Sequence, residues 1–233
     1  MKKVIVVFSI ITSIAVIGIC FPDLALAYDF TNVEVKADET PKDLQGVGIT
    51  EHLGESIDLT NTFVDSNGKT VQLAQFFSGK KPVLMAMVYY NCPNLCHYQL
   101  DGMLASLKKL DWTVGKDFEL VTVSMDHREK PVDAALKKVK YVDEYGRSGS
   151  EQGWHLLTGS EQNIKKLAQQ VGFGFKWNEA QKQYAHAAAA YLISPAGKIS
   201  RYLYGIEYNN KDLKFSLMDA SDGKIGNVVD RLI

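Results

Sequence analysis

Cys92 and Cys96 stand four residues apart in NCPNLCHYQL, with His97 directly after. A thiol pair at this spacing can close a disulfide, share a soft metal ion or, with the adjoining histidine, hold a haem. The C-x-x-C interval of thiol oxidoreductases is one residue shorter. The longer interval still permits a disulfide and opens a wider bite that suits a metal. Soft sulfur donors select copper(I), and stable copper(II) binding calls for a nitrogen as well. A purely structural disulfide here would close a very short loop and constrain the unfolded chain little. Haem attachment wants C-x-x-C-H, which the extra residue breaks. A peroxidase of the peroxiredoxin type wants Thr or Ser shortly before its cysteine, where Tyr89, Tyr90 and Asn91 stand.

Five histidines could supply the nitrogen: His52, His97, His127, His155 and His186. His186 lies in QYAHAAAAYLI, immediately before an apolar, strand-like run. A strand entering a sheet antiparallel begins beside the C-terminal ends of its parallel neighbours, the rim where open α/β sheets bind ligands. The small residues after His186 leave room for close approach. His97 has the right neighbourhood but points about 100° away from Cys96 around a helix. His127, at the end of VTVSMDH, is a reserve ligand. His52 and His155 are expected to be structural or surface residues.

The elements that must position these groups follow from hydrophobic periodicity. KPVLMAMVYY (81–90) is a short continuous apolar run, the mark of a buried central strand. LCHYQLDGMLASLKKL then spaces Leu95, Leu100, Leu104, Leu107 and Leu110 along one helical face. Cys92 therefore falls where strand passes into helix, with Pro93 suited to the first turn. Backbone N–H groups and the helix dipole favour a thiolate there, and Cys96 projects one turn later from the same side. TFVDSNGKTVQL alternates around Asn67-Gly68 as a hairpin. DFELVTVSM (117–125) is a second buried strand, and PVDAALKKVKYVDEYG (131–146) a helix with Pro131 at entry and Gly146 at exit. WHLLTG is a strand, and Ser160 opens the helix that carries IKKLAQQVG. AAAAYLISPAGKISRYLYGI forms two strands around a Ser194–Gly197 turn. NNKDLKFSLMDAS is a last helix. This order gives an α/β fold, a thioredoxin-like sandwich with a central mixed sheet flanked by helices.

Composition is that of one globular domain: 233 residues, 46% hydrophobic, net charge −1. That charge, with no basic stripe, argues against a nucleic-acid partner. Lys2 and Lys3 precede an apolar run from Val4 to Phe21, and Ala25-Leu26-Ala27 fits signal-peptide cleavage before Tyr28. Residues 1–27 are thus a signal peptide, or an N-terminal membrane anchor, since the run is just long enough to span. Ile19 disfavours lipidation at Cys20. Loss of Lys2, Lys3 and Asp23 moves the charge from −1 to −2 and leaves Cys92 and Cys96 as the whole thiol content. The expected location is exported, in the periplasm or cell envelope. Residues 28–54 form an N-terminal arm and 55–233 the thioredoxin-like domain. The ending GNVVDRLI is apolar and strand-like.

KPVLMAMVYYNCPNLC, LVTVSMDHREKPVDA and HAAAAYLISPAGKI, in this order and at these separations, resemble the Sco/SenC family over roughly residues 55–205. The resemblance implies copper bound by Cys92, Cys96 and His186. It further implies a metallochaperone for the dinuclear CuA site of cytochrome c oxidase, with oxidase subunit II or another exported copper or thiol protein as partner. The chain departs from the family pattern at Ala185, where Asp is common, and at HREKP, where Arg-Asp-Thr-Pro is usual. An acidic neighbour orients a ligating histidine, so its loss bears on copper affinity. The alternative function is a thiol–disulfide oxidoreductase using the Cys92/Cys96 pair, with Cys92, nearer the helix start, attacking. It would reduce CuA-site cysteines or serve redox signalling, and neither role turns over a small-molecule substrate.

Overall fold

Val83–Val88 (β4), the core of the first apolar run, is buried at every position. It can be buried on both faces because parallel and antiparallel neighbours flank it and helices cover the sheet. Each of its Val, Leu and Met side chains contributes about 1.5–3 kcal/mol of burial. The structure, a computed structural model, describes residues 40–41, 44–77, 80–92 and 95–226. The leader at 1–27, Cys20, Pro93 and the ending after Gly226 lie outside the described residues.

The hairpin around Asn67-Gly68 is formed by Thr62–Asp65 (β2) and Thr70–Gln72 (β3), with Gly68 at φ 80°. Leu95–Lys109 (α1) buries Cys96, Leu100, Met103, Leu104 and Leu107 along one stripe. Cys96 occupies the first position of that stripe, which is why it is fully buried while Tyr98 faces solvent. Glu119–Ser124 (β5) leads to Pro131–Tyr145 (α2). Asp133 accepts from the Lys130 N–H at its start, and Gly146 closes it in the left-handed conformation at φ 69°. Trp154–Thr158 (β6) follows. Ser160 then caps Glu161–Gln170 (α3) by accepting from the Asn163 N–H. Ala189–Ile193 (β9) and Ile199–Tyr204 (β10) form the late hairpin, and Asn210–Ser221 (α4) follows with Asn209 as its cap.

These strands make one seven-stranded sheet in the order β10-β9-β4-β5-β6-β2-β3. β4, β5 and β6 run parallel, and β9 and β2 join antiparallel on either side. This is the mixed sheet of a thioredoxin-like α/β sandwich.

Periodicity did not reveal a second, three-stranded sheet, in the order β1-β7-β8. Phe173–Asn178 (β7) and Gln183–His186 (β8) form a hairpin, and Gly48–Ile49 (β1) pairs with β7. His186 does precede the apolar strand, by three positions, but it is the last residue of a strand of its own, β8. Its rim location is as expected; the element that carries it is different.

Candidate metal centre

The ligand-type atoms of Cys92, Cys96 and His186 all lie within 4.8 Å of one another. No disulfide joins Cys92 to Cys96. Cys92 sits in the strand-to-helix passage at 9% exposure, and Cys96 is completely buried. The Cys96 backbone N–H donates to the Cys92 sulfur at 3.3 Å, and the Tyr89 N–H to the Cys96 sulfur at 3.5 Å. Burial, reinforced by the neighbouring Cys92, pushes the Cys96 thiol pKa far up. The Cys96 proton is thus retained unless a cation or a base replaces it.

His186 Nε2 lies 3.1 Å from the Cys96 sulfur. Its Nδ1 lies 2.9 Å from the Ala187 carbonyl oxygen, which can only accept, so Nδ1 carries the ring proton. That tautomer leaves the Nε2 lone pair facing the two sulfurs. Donors bound to one first-row ion at about 2.0–2.3 Å stand about 3.3–4 Å apart, so a small contraction closes this triad on a metal. The missing acid at Ala185 is answered by a backbone carbonyl, which fixes the ring's tautomer without adding charge.

The other histidines are occupied elsewhere. His97 pairs with Asp101 at 3.2 Å, one turn along α1 and away from the sulfurs. His127 is exposed and lines a separate cavity with Glu161 and Trp177. His52 Nδ1 lies 3.0 Å from the Gln170 carbonyl oxygen, and His155 Nε2 lies 3.0 Å from Glu119.

An aromatic wall surrounds the triad. Tyr89 meets His186 edge-on at 6.2 Å and Tyr184 at 5.5 Å, and Phe173 stands 6.1 Å from the His186 ring. Leu44, Val47, Tyr89, Leu95 and Tyr184 border a cavity of about 250 Å³ that opens on Cys92 and His186. Gln181 and Gln183 also line it, so the apolar side chains flank the sulfurs and the amides stand on the side of β8.

Glu129 was not singled out by sequence reasoning. It is 6% exposed and accepts from the Tyr90 N–H at 2.8 Å, the Asn91 N–H at 2.6 Å and the Ser124 hydroxyl at 2.6 Å. Burial outweighs these donors and raises its pKa. Two of its partners are the residues before Cys92, so this carboxyl group fixes the backbone that leads into the site. Its sequence signal was the unusual HREKP, whose chemistry depends on where the turn packs.

The chain matches the SCO1/SenC family model over residues 50–218. It belongs to the SCO1/SenC family. Among solved structures, a putative electron transfer protein from Aquifex aeolicus is 26% identical, with TM-score 0.63, and covers 74% of this chain and 95% of its own. BsSco, a Sco-family cytochrome c oxidase assembly protein in which a disulfide switch was identified, is also 26% identical, with TM-score 0.58, covering 74% and 97%. Arabidopsis thaliana ScoI with copper bound shares the fold at 22% identity and TM-score 0.55, covering 73% and 98%. A search of curated proteins found no match.

Proposed function

We propose that this chain is a copper-holding metallochaperone of the cell envelope that serves assembly of the CuA site of cytochrome c oxidase. Copper, as cargo, is held by Cys92, Cys96 and His186, with oxidase subunit II or a similar exported copper protein as recipient. The observation that carries this reading is the convergence of two sulfurs and an imidazole within 4.8 Å, with Nε2 turned toward the sulfurs. Two thiolates hold copper(I), and the imidazole adds the nitrogen that copper(II) requires. The copper in Arabidopsis ScoI and the oxidase-assembly role of BsSco support the same assignment. Export follows from the Lys2-Lys3 and Val4–Phe21 pattern, by a cleaved signal or a retained anchor.

Anaerobic copper titration of the reduced protein tests the proposal. One equivalent is expected to bind tightly, with a sulfur-to-copper(II) charge-transfer band after oxidation. His186→Ala should weaken binding by at least about tenfold, as loss of even an outer-shell partner does. A Cys92→Ser, Cys96→Ser double variant that keeps full affinity would overturn the assignment.

A thiol–disulfide role is favoured by a second observation, the unequal exposure of the two sulfurs. The outer Cys92 thiolate attacks a partner disulfide, releasing one partner thiolate and forming a mixed disulfide. Cys96, its proton passed to His186, then displaces the second partner thiolate and leaves a Cys92–Cys96 disulfide. Failure of the oxidised pair to exchange with dithiols at any accessible potential would remove this reading.

A further inference from the structure

The cysteines follow β4 of the seven-stranded sheet, His186 ends β8 of the three-stranded one, and a single turn touches both sides. Residues 126–130 link β5 to α2. On one side of this turn, Glu129 grips the Tyr90 and Asn91 amides immediately before Cys92. On the other side stands Arg128. Its Nε donates to Asp126 Oδ1 at 2.8 Å and its Nη2 to Oδ2 at 2.7 Å, a two-pronged fork that locks the guanidinium plane. That plane lies over the Trp177 ring at 4.3 Å and reaches Tyr184 at 5.7 Å.

Trp177 and Tyr184 face each other across the β7–β8 hairpin, 5.0 Å apart edge to face. Tyr184 is two residues before His186 on the same strand, and so on the same face of the hairpin. Tyr184 also touches Tyr89, which connects it to the strand end before the cysteines. Among the described residues its strands pair with each other and with the two-residue β1, and Phe173 of β7 is buried in the core, so these ring contacts fix the end of the hairpin that carries Tyr184.

We propose that Arg128 is a positioning residue for His186. It clamps the β7–β8 hairpin against the turn whose neighbouring Glu129 clamps the cysteine loop, so that one rigid bracket sets the sulfur-to-imidazole separation. Arg128 touches none of the three ligand atoms; it acts through Trp177 and Tyr184. This inference rests on the assignment of Cys92, Cys96 and His186 as the copper ligands. A cation over two aromatic faces is stabilising, and the fork to Asp126 removes the freedom that would otherwise weaken it.

The test uses the full chain with Arg128→Ala, Arg128→Lys, His186→Ala and the Arg128→Ala, His186→Ala double variant. Arg128 is half exposed, so its truncation leaves the buried core intact, and an unchanged far-UV spectrum checks this. Anaerobic copper titration is read first. Arg128→Ala is expected to lose on the order of tenfold in affinity, with Arg128→Lys recovering part of it. In the His186→Ala background the Arg128→Ala change should cost nothing further, because the group it positions is gone. Equal losses in both backgrounds, or no loss in either while His186→Ala by itself weakens binding, would overturn the proposal.

The second readout needs no metal. In the reduced, metal-free protein a nuclear Overhauser contact between the His186 ring and the Cys96 β-protons is expected in wild type and Arg128→Lys, and absent in Arg128→Ala. Its persistence in Arg128→Ala would overturn the bracket even if copper bound as expected. Its loss alongside copper binding that ignores His186 would keep the bracket and overturn the ligand assignment instead.

Discussion

At His186 the ring proton is committed to the carbonyl of the next residue, so the ligand nitrogen is set by backbone geometry rather than by an acid. Cys92, Cys96 and His186 were legible in the sequence because residue type, spacing and a rim position coincide. Arg128 and Glu129 were not, because an arginine and a glutamate in a charged turn look the same whether they face water or clamp two segments. A second acid away from the site gives a prediction at this scale. Burial pushes Glu119 up, but His155 and Lys81 outweigh it and hold the carboxyl below the ordinary range. A lowered folded pKa means stability that is present above the unfolded value and lost as pH falls through the folded one. Glu119→Gln should therefore cost about 1–2 kcal/mol in urea unfolding at pH 7, and the gap should narrow below about pH 4.

Among the elements, the buried strands and the amphipathic helices were legible, since continuous apolar runs and helical stripes declare themselves over six residues or more. The β7–β8 hairpin was overlooked although FGFKWN alternates along β7. Its turn, Glu179 to Lys182, contains no glycine, proline or asparagine, and Lys182 itself takes the positive φ of 51°. A two-residue strand such as β1 leaves no periodicity at all. Helix α1 is located by contact rather than pattern at Gly102. A Cβ there would stand 1.9 Å from the Ile206 carbonyl oxygen, in the segment between β10 and α4. Ser106, one turn on, donates to the Tyr208 carbonyl oxygen and accepts from the Tyr208 N–H. Gly102→Ala is thus expected to lower stability by about 1–3 kcal/mol, measured by chemical unfolding, despite alanine's better helix propensity. A neutral or stabilising effect would mean that this segment yields readily.

For the molecule as a whole, the site joins a helix of the seven-stranded sheet to a hairpin of the three-stranded one. On the proposed function copper prefers the folded triad, because the open chain does not hold the imidazole beside the sulfurs, so loading should raise the melting temperature of the wild type. At a hundredfold excess over the dissociation constant the gain is about 2.7 kcal/mol. Scanning calorimetry under anaerobic copper(I) should show this shift in wild type, a smaller one in His186→Ala and none in the double serine variant.

Cys96 and His186 are ninety positions apart along the chain. A ribosome delivers the sulfurs long before the imidazole, and the hairpin that carries the imidazole has nothing to close onto until the sheet behind the sulfurs is built. The three-ligand site is therefore complete only once the hairpin has closed onto the sheet. An oxidant, which needs only the two early thiols, can act before the hairpin closes, and a chain oxidised then reaches the fold with both sulfurs committed to each other.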